Sequence, residues 1–158
     1  MSSFNPSALL ATLHRHGVEH IVVGLGAAVL QGAPVVTFDL DVVHQRTPEN
    51  VGRVLRCLVE IQARYRGDPR ALAPTESHLV GPGHQLLDSA FGPIDFLGAI
   101  GESLDFEALL PRSVVLDLGG FTARVLTLDA VIELKRRAGR PKDLAVLPVL
   151  ESSLRRIR

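Results

Sequence analysis

Ile21-Val22-Val23-Gly24-Leu25-Gly26, followed further along the chain by Asp39-Leu40-Asp41, is the stretch whose reading decides the fold. Val18 to Val23 is a short buried strand, Gly24-Leu25-Gly26 turns the chain, and Ala27 to Gln31 is a short helix closed by Gly32. Val35 to His44 then reads as a second strand. Side chains alternate along a strand, so Asp39 and Asp41 share one face while Phe38, Leu40 and Val42 point to the other, towards a core. Two carboxylates on one face are how a protein holds a hard divalent cation.

Outward from this stretch, Asn5-Pro6 caps a first helix over about 6 to 16, carrying Leu9, Leu10 and Leu13 and ended by Gly17. Thr47-Pro48-Glu49-Asn50 starts another, which the spacing of Val51, Val54, Leu55, Leu58 and Ile61 extends to about Arg64. Gly67 to Gly83 reads as a loop with a short strand near His78 to Val80. His84 to Ser89 and Pro93 to Gly98 form a hairpin around Phe91-Gly92, and Val114 to Leu118 pairs with Phe121 to Leu126 across Gly119-Gly120. Thr127 caps a helix broken at Gly139, and a last helix runs from Pro141 to the terminus, with Pro148 expected to kink or split it. The result is an α/β (α+β) chain: one domain over 1–158, with a helical C-terminal part over 127–158. The sheet is mixed and twisted, of five or six strands, with helices mainly on one face.

Lys plus Arg equals Asp plus Glu at 17 each, so no global positive field exists to hold a long nucleic acid. A nucleic-acid partner would have to use a local patch. No apolar run approaches the roughly 20 residues needed to span a bilayer, and Met1-Ser2-Ser3-Phe4-Asn5-Pro6 lacks the pattern of an export signal. A single cysteine, Cys57, lies within a helical apolar pattern and reads as a core thiol. The expectation is a cytoplasmic protein with no membrane partner.

The chemistry is concentrated in acidic residues. The hairpin strand Gly-Pro-Ile-Asp-Phe-Leu brings a third carboxylate, Asp95, into the sheet among apolar neighbours, where an unpaired charge is costly. Asp39, Asp41 and Asp95 could together ligate one or two Mg²⁺ ions against phosphate oxygens. The Gly24-Leu25-Gly26 turn would offer backbone N–H groups to a triphosphate, and a tight turn needed only for helix–strand packing would use the same residues. His14, His16, His20, His44, His78 and His84 show no metal-ligand spacing and read as structural or solvent-facing. Arg155, Arg156 and Arg158 read as a basic tail.

The order of these blocks, with Pro34 and Thr37 before the Asp pair, Pro93-Ile94-Asp95 after it, and then Leu134-Lys135 and Gly139-Arg140-Pro141-Lys142-Asp143-Leu144, resembles the minimal nucleotidyltransferases of the polymerase-beta-like superfamily. Within it, the AbiEii-type group of toxin-like nucleotidyltransferases is the nearest in pattern. The resemblance covers about Val18 to Leu150. It implies a Mg²⁺- or Mn²⁺-dependent transfer of a nucleoside monophosphate from an NTP to an acceptor hydroxyl on a tRNA, a protein or a small molecule. It also implies an antitoxin partner if the chain is half of a toxin–antitoxin pair. Carried over by position, Asp39, Asp41 and Asp95 hold the metal, and Asp95 is the candidate base. Gly24, Leu25, Thr37, Arg140 and Lys142 contact the nucleotide, and Lys135 and Asp143 complete the catalytic set. Leu25, Val35 and Phe38 depart from the family pattern and motivate an alternative, a catalytically inactive member that binds a nucleotide or a partner protein.

Overall fold

The computed structural model describes residues 3–157; Met1, Ser2 and Arg158, and with them part of the N-terminal and basic-tail readings, lie outside the described residues. The elements are α1 (Pro6–Arg15), β1 (His20–Val23), α2 (Gly24–Leu30), β2 (Leu40–His44), α3 (Pro48–Glu60), β3 (Arg64–Tyr65), α4 (Glu76–Val80), β4 (His84–Asp88), β5 (Ile94–Leu97), α5 (Phe106–Leu109), β6 (Ser113–Asp117), β7 (Thr122–Leu126), α6 (Leu128–Ala138) and α7 (Pro141–Ile157). A 3₁₀ turn, Leu110–Arg112, joins α5 to β6. No helix among the described residues is long and apolar enough to cross a membrane.

The strands form one mixed sheet of seven in the order β3-β4-β5-β2-β1-β7-β6. Only β1–β7 and β2–β5 pair parallel, and β1 lies antiparallel to β2. The C-terminal ends of β1 and β7 therefore meet the N-terminal ends of β2 and β5 along one end of the sheet. Alternation divides the two faces. Val22, Val42, Phe96, Leu40, Ile94, Leu87 and Val125 share one face through the registers Val22↔Val42↔Phe96, Leu40↔Ile94↔Leu87 and Val22↔Val125, and all are buried. Helix α2 lies on this face: a Cβ on Gly26 would touch Leu40 and Val22, each at 3.5 Å. On the opposite face Val23, Asp41 and Asp95 stand side by side, and next to them, at β4, Leu86 is open to solvent.

Several expectations need correction. The sheet has seven strands because α3 stops at Glu60, where Ala63 N–H donates to Leu58 O at 3.0 Å, and Arg64–Tyr65 is released to pair with β4. His78 to Val80 is helical, since Thr75 N–H donates to His78 Nδ1 at 3.0 Å and so caps a turn that buries Leu79. The second strand begins at Leu40, with Val35 to Asp39 outside it. On one side β1 has already turned into α2, and on the other β5 begins only at Ile94, so these residues have no ladder to join. Phe38 consequently misses the core and is 77% exposed. Pro148 neither breaks nor splits α7: it and Leu144, whose carbonyl its missing N–H would have served, both lie on the solvent side.

The buried polar groups of the well-covered face are structural. His44 is fully buried with its Nε2 2.7 Å from Leu79 O, tying β2 to α4, and burial lowers its pKa so that the ring stays neutral. Burial likewise pushes the Cys57 thiol up to about 12.

The end of β5 is held tightly: Gly98 N–H donates to Gly83 O at 2.9 Å, and a Cβ on Gly98 would lie 2.2 Å from Gly81 O. Gly98→Ala should therefore lower stability by about 2 kcal/mol or more, read as a fall in the urea midpoint without a change in slope.

Candidate active site

The cleft at the sheet end has a volume of about 540 Å³. Strands β2 and β5, the loop before β2, the start of α2 and the α6–α7 junction build it. Strands β2 and β5, paired in parallel, place Asp41 directly beside Asp95. Asp39, the residue before β2, is fixed by the ladder that begins at its neighbour, where Leu40 N–H donates to Pro93 O at 3.1 Å, and by its own carbonyl accepting from Thr37 Oγ1 at 3.0 Å. One ligand oxygen from each of Asp39, Asp41 and Asp95 lies within 4.8 Å of the others. Asp39 reaches the cluster from a loop, and not by strand alternation as the sequence suggests.

The floor of the cleft is the start of α2. Helix α2 begins at Gly24 itself, so the expected turn is the helix's first turn, and Gly24 and Leu25 line the cleft. Gly24 adopts φ +63°, and a Cβ there would meet Asp41 Oδ2 at 3.4 Å, so both conformation and space favour glycine. The first-turn N–H groups have no acceptor within the helix.

Across the cleft stands the α6–α7 junction. Gly139 ends α6 in the left-handed region, and Asp143 is almost wholly buried. The Asp143 carboxylate accepts from Arg140 Nε at 2.6 Å, from Arg140 N–H at 3.2 Å and from Lys135 Nζ at 3.3 Å. The bond from the Arg140 backbone is an acid in the first helical turn reaching back to the preceding N–H. The guanidinium of Arg140 and the ammonium of Lys135 together hold the Asp143 carboxyl below the usual carboxylate range. Asp143 thus orders the two cations from behind. Lys135 still faces the acidic cluster, where its charge draws the Asp41 pKa down. Lys142 lines the cleft and makes no ion pair among the described residues.

One contributor carried no sequence signal. Arg66 follows β3 in what reads as an ordinary loop, yet it reaches across β4 so that its Nη2 lies 2.6 Å from Asp95 Oδ1 and 2.8 Å from Leu87 O. Its proximity to Asp95 is a product of the β3–β4–β5 order, which no local pattern encodes.

The electrostatics leave Asp41 the strained member. Burial first, then the charge of Asp39, then the bond and charge of Asp95 push its carboxyl up to about 7, and its Oδ1 is buried with no hydrogen-bond partner among the described residues. An orphaned buried oxygen among three carboxylates is a donor set suited to a hard cation such as Mg²⁺, whose ligands are oxygens. Asp39, Asp41 and Asp95 therefore fit such an ion.

No protein-family model and no curated protein matches this sequence. Among solved structures, the chain is similar to a Thermotoga maritima protein provisionally described as a nucleotidyltransferase, with 18% identity and a TM-score of 0.58, over 93% of this chain and 94% of that one. At that identity the likeness concerns the fold alone, and the fold is nucleotidyltransferase-like.

A carboxyl raised in the folded state opposes folding most where it is ionised in both states, above about pH 7, and the cost disappears once both states are protonated, below about pH 4. Asp41→Asn should stabilise the metal-free protein, by roughly 2 kcal/mol more at pH 8 than at pH 5. Thermal unfolding at the two pH values, in chelator, reads this difference.

Proposed function

We infer that the protein is a nucleotidyltransferase that moves a nucleoside monophosphate from an NTP to an acceptor hydroxyl. The observation that carries this reading is the convergence of Asp39, Asp41 and Asp95 within 4.8 Å in a cleft whose far wall carries Lys135, Arg140 and Lys142. Carboxylates alone would repel a triphosphate, and cations alone would not organise its reaction centre. The two sets facing each other match a phosphate chain bridged by a metal ion.

In this reading Asp39, Asp41 and Asp95 would hold Mg²⁺ or Mn²⁺, which supplies neutralisation of phosphate charge and polarisation of the phosphoryl group. The first turn of α2 at Gly24 and Leu25 receives the phosphate chain through backbone N–H groups. Leu25, half-buried, takes up the space of a smaller residue without removing its own N–H. Lys135 and Arg140, pre-set by Asp143, and Lys142, which makes no ion pair among the described residues, balance the charge of the leaving pyrophosphate. The acceptor oxygen attacks the α-phosphorus and forms a P–O bond, the bond to the β-phosphate oxygen breaks and releases pyrophosphate, and Asp95 takes the hydroxyl proton. Thr37 stays at the rim, its hydroxyl occupied by Asp39 O. An antitoxin partner, like membership of the AbiEii-type group, rests on sequence resemblance alone.

Asp39→Ala and Asp41→Ala should each lower NMP transfer by at least about a hundredfold, read as pyrophosphate release with each of the four NTPs. Unchanged release in both variants would overturn the metal assignment. A second readout needs no acceptor: Mg²⁺ at ten times its dissociation constant should stabilise the wild-type protein by about 1.4 kcal/mol and Asp41→Asn by much less, seen as a shift in Tm.

A further inference from the structure

The cleft has two unlike sides. Lys135, Arg140 and Lys142 belong to the end of α6, the α6–α7 junction and the start of α7, whereas Arg66 stands on the β3–β4 side, beyond Asp95. A donor triphosphate seated on Gly24 and the α6–α7 cations leaves Arg66 with no phosphate to serve. Arg66 holds Asp95 and Leu87 O through Nη2 and lies 3.6 Å from Asp88 Oδ1 through Nε, while its Nη1 makes no hydrogen bond among the described residues. Beside it, a second hollow of about 330 Å³ is lined by Leu25, Phe38, Arg66 and Pro93. Phe38 is 77% exposed there, in a loop tied to the acidic cluster through Asp39. An exposed aromatic ring and a guanidinium with an open donor that line one hollow, the guanidinium bonded to the candidate base, are a recognition pair for a planar base and its phosphate.

We propose that this hollow is an acceptor subsite for a nucleotide terminus, with the base stacked on Phe38, the phosphate on Arg66 Nη1, and the terminal hydroxyl presented to Asp95. The proposal rests on the nucleotidyltransferase reading for the identity of the reaction, though not for the binding itself. The zero net charge of the chain fits a short terminus and gives no support to a long track. A protein side chain offers a hydroxyl but neither a base for Phe38 nor a phosphate for Arg66.

Two titrations of the full chain test it: fluorescence anisotropy with a 5′-labelled tetraribonucleotide bearing a free 3′-hydroxyl, and calorimetry with a non-hydrolysable NTP analogue plus Mg²⁺. Phe38→Ala, at an exposed position with little to unfold, should weaken the oligonucleotide about tenfold while leaving the analogue within about twofold. Arg66→Ala should weaken the oligonucleotide to a similar degree, and Arg66→Lys should recover part of the loss and keep a salt dependence. Wild-type protein that binds the analogue but not the oligonucleotide, or equal oligonucleotide binding in Phe38→Ala, overturns the subsite. So does transfer of labelled NMP onto protein that is indifferent to Phe38→Ala. Oligonucleotide binding that depends on Phe38 and Arg66, with no binding of the analogue, upholds the subsite and instead defeats the nucleotidyltransferase reading.

Discussion

Three carboxylates held within 4.8 Å of one another are the constraint around which the rest of this structure is arranged. Like charges at that separation, partly shielded from water, destabilise a fold unless something offsets them. The cost falls on Asp41, whose pKa is raised and whose inner oxygen is unpartnered. Arg66 relieves Asp95 from one side, and the positive charge of Lys135 favours the ionised form of Asp41 from the other. The arrangement stores electrostatic strain that a bound cation would release.

The scaffold explains how the strain is tolerated. Asp41 and Asp95 sit at the beginnings of two parallel strands, at the sheet end where β1 and β7 depart into α2 and α6. The other face of the same strands is buried throughout, from Val22 to Phe96 and Leu87, and supplies the hydrophobic free energy that holds the acidic face in place. On the far wall the roles of acid and base are reversed. There the buried Asp143, paired with Lys135 and Arg140, fixes two cations that would otherwise be mobile side chains.

Much of this was legible in the order of residues. The alternation in Leu40 to His44 and in Ile94 to Leu97 identifies strands with a carboxylate face, and Gly119-Gly120 identifies the β6–β7 hairpin. Where the reading failed, pairing decided. Val35 to Phe38 are β-branched and aromatic, as in a strand, but no neighbouring strand extends that far, so Phe38 is left in solvent. Arg64–Tyr65 continues a helical apolar pattern and still becomes a strand, because β4 offers an edge. Pro148 marks a break that does not occur, since it falls on an exposed helix face where the unserved carbonyl is open to solvent.

The sequence by itself determined which residues carry charge and where strands alternate, because period and residue chemistry are local properties, and it singled out Asp39, Asp41 and Asp95 as candidates for one site. Only the tertiary structure decided that Arg66 clamps Asp95, that Asp143 backs Lys135 and Arg140, and that Phe38 faces the solvent beside the cleft. Those outcomes depend on which strand lies next to which and where each ladder stops. That is set by the packing of the whole chain, not by any segment within it.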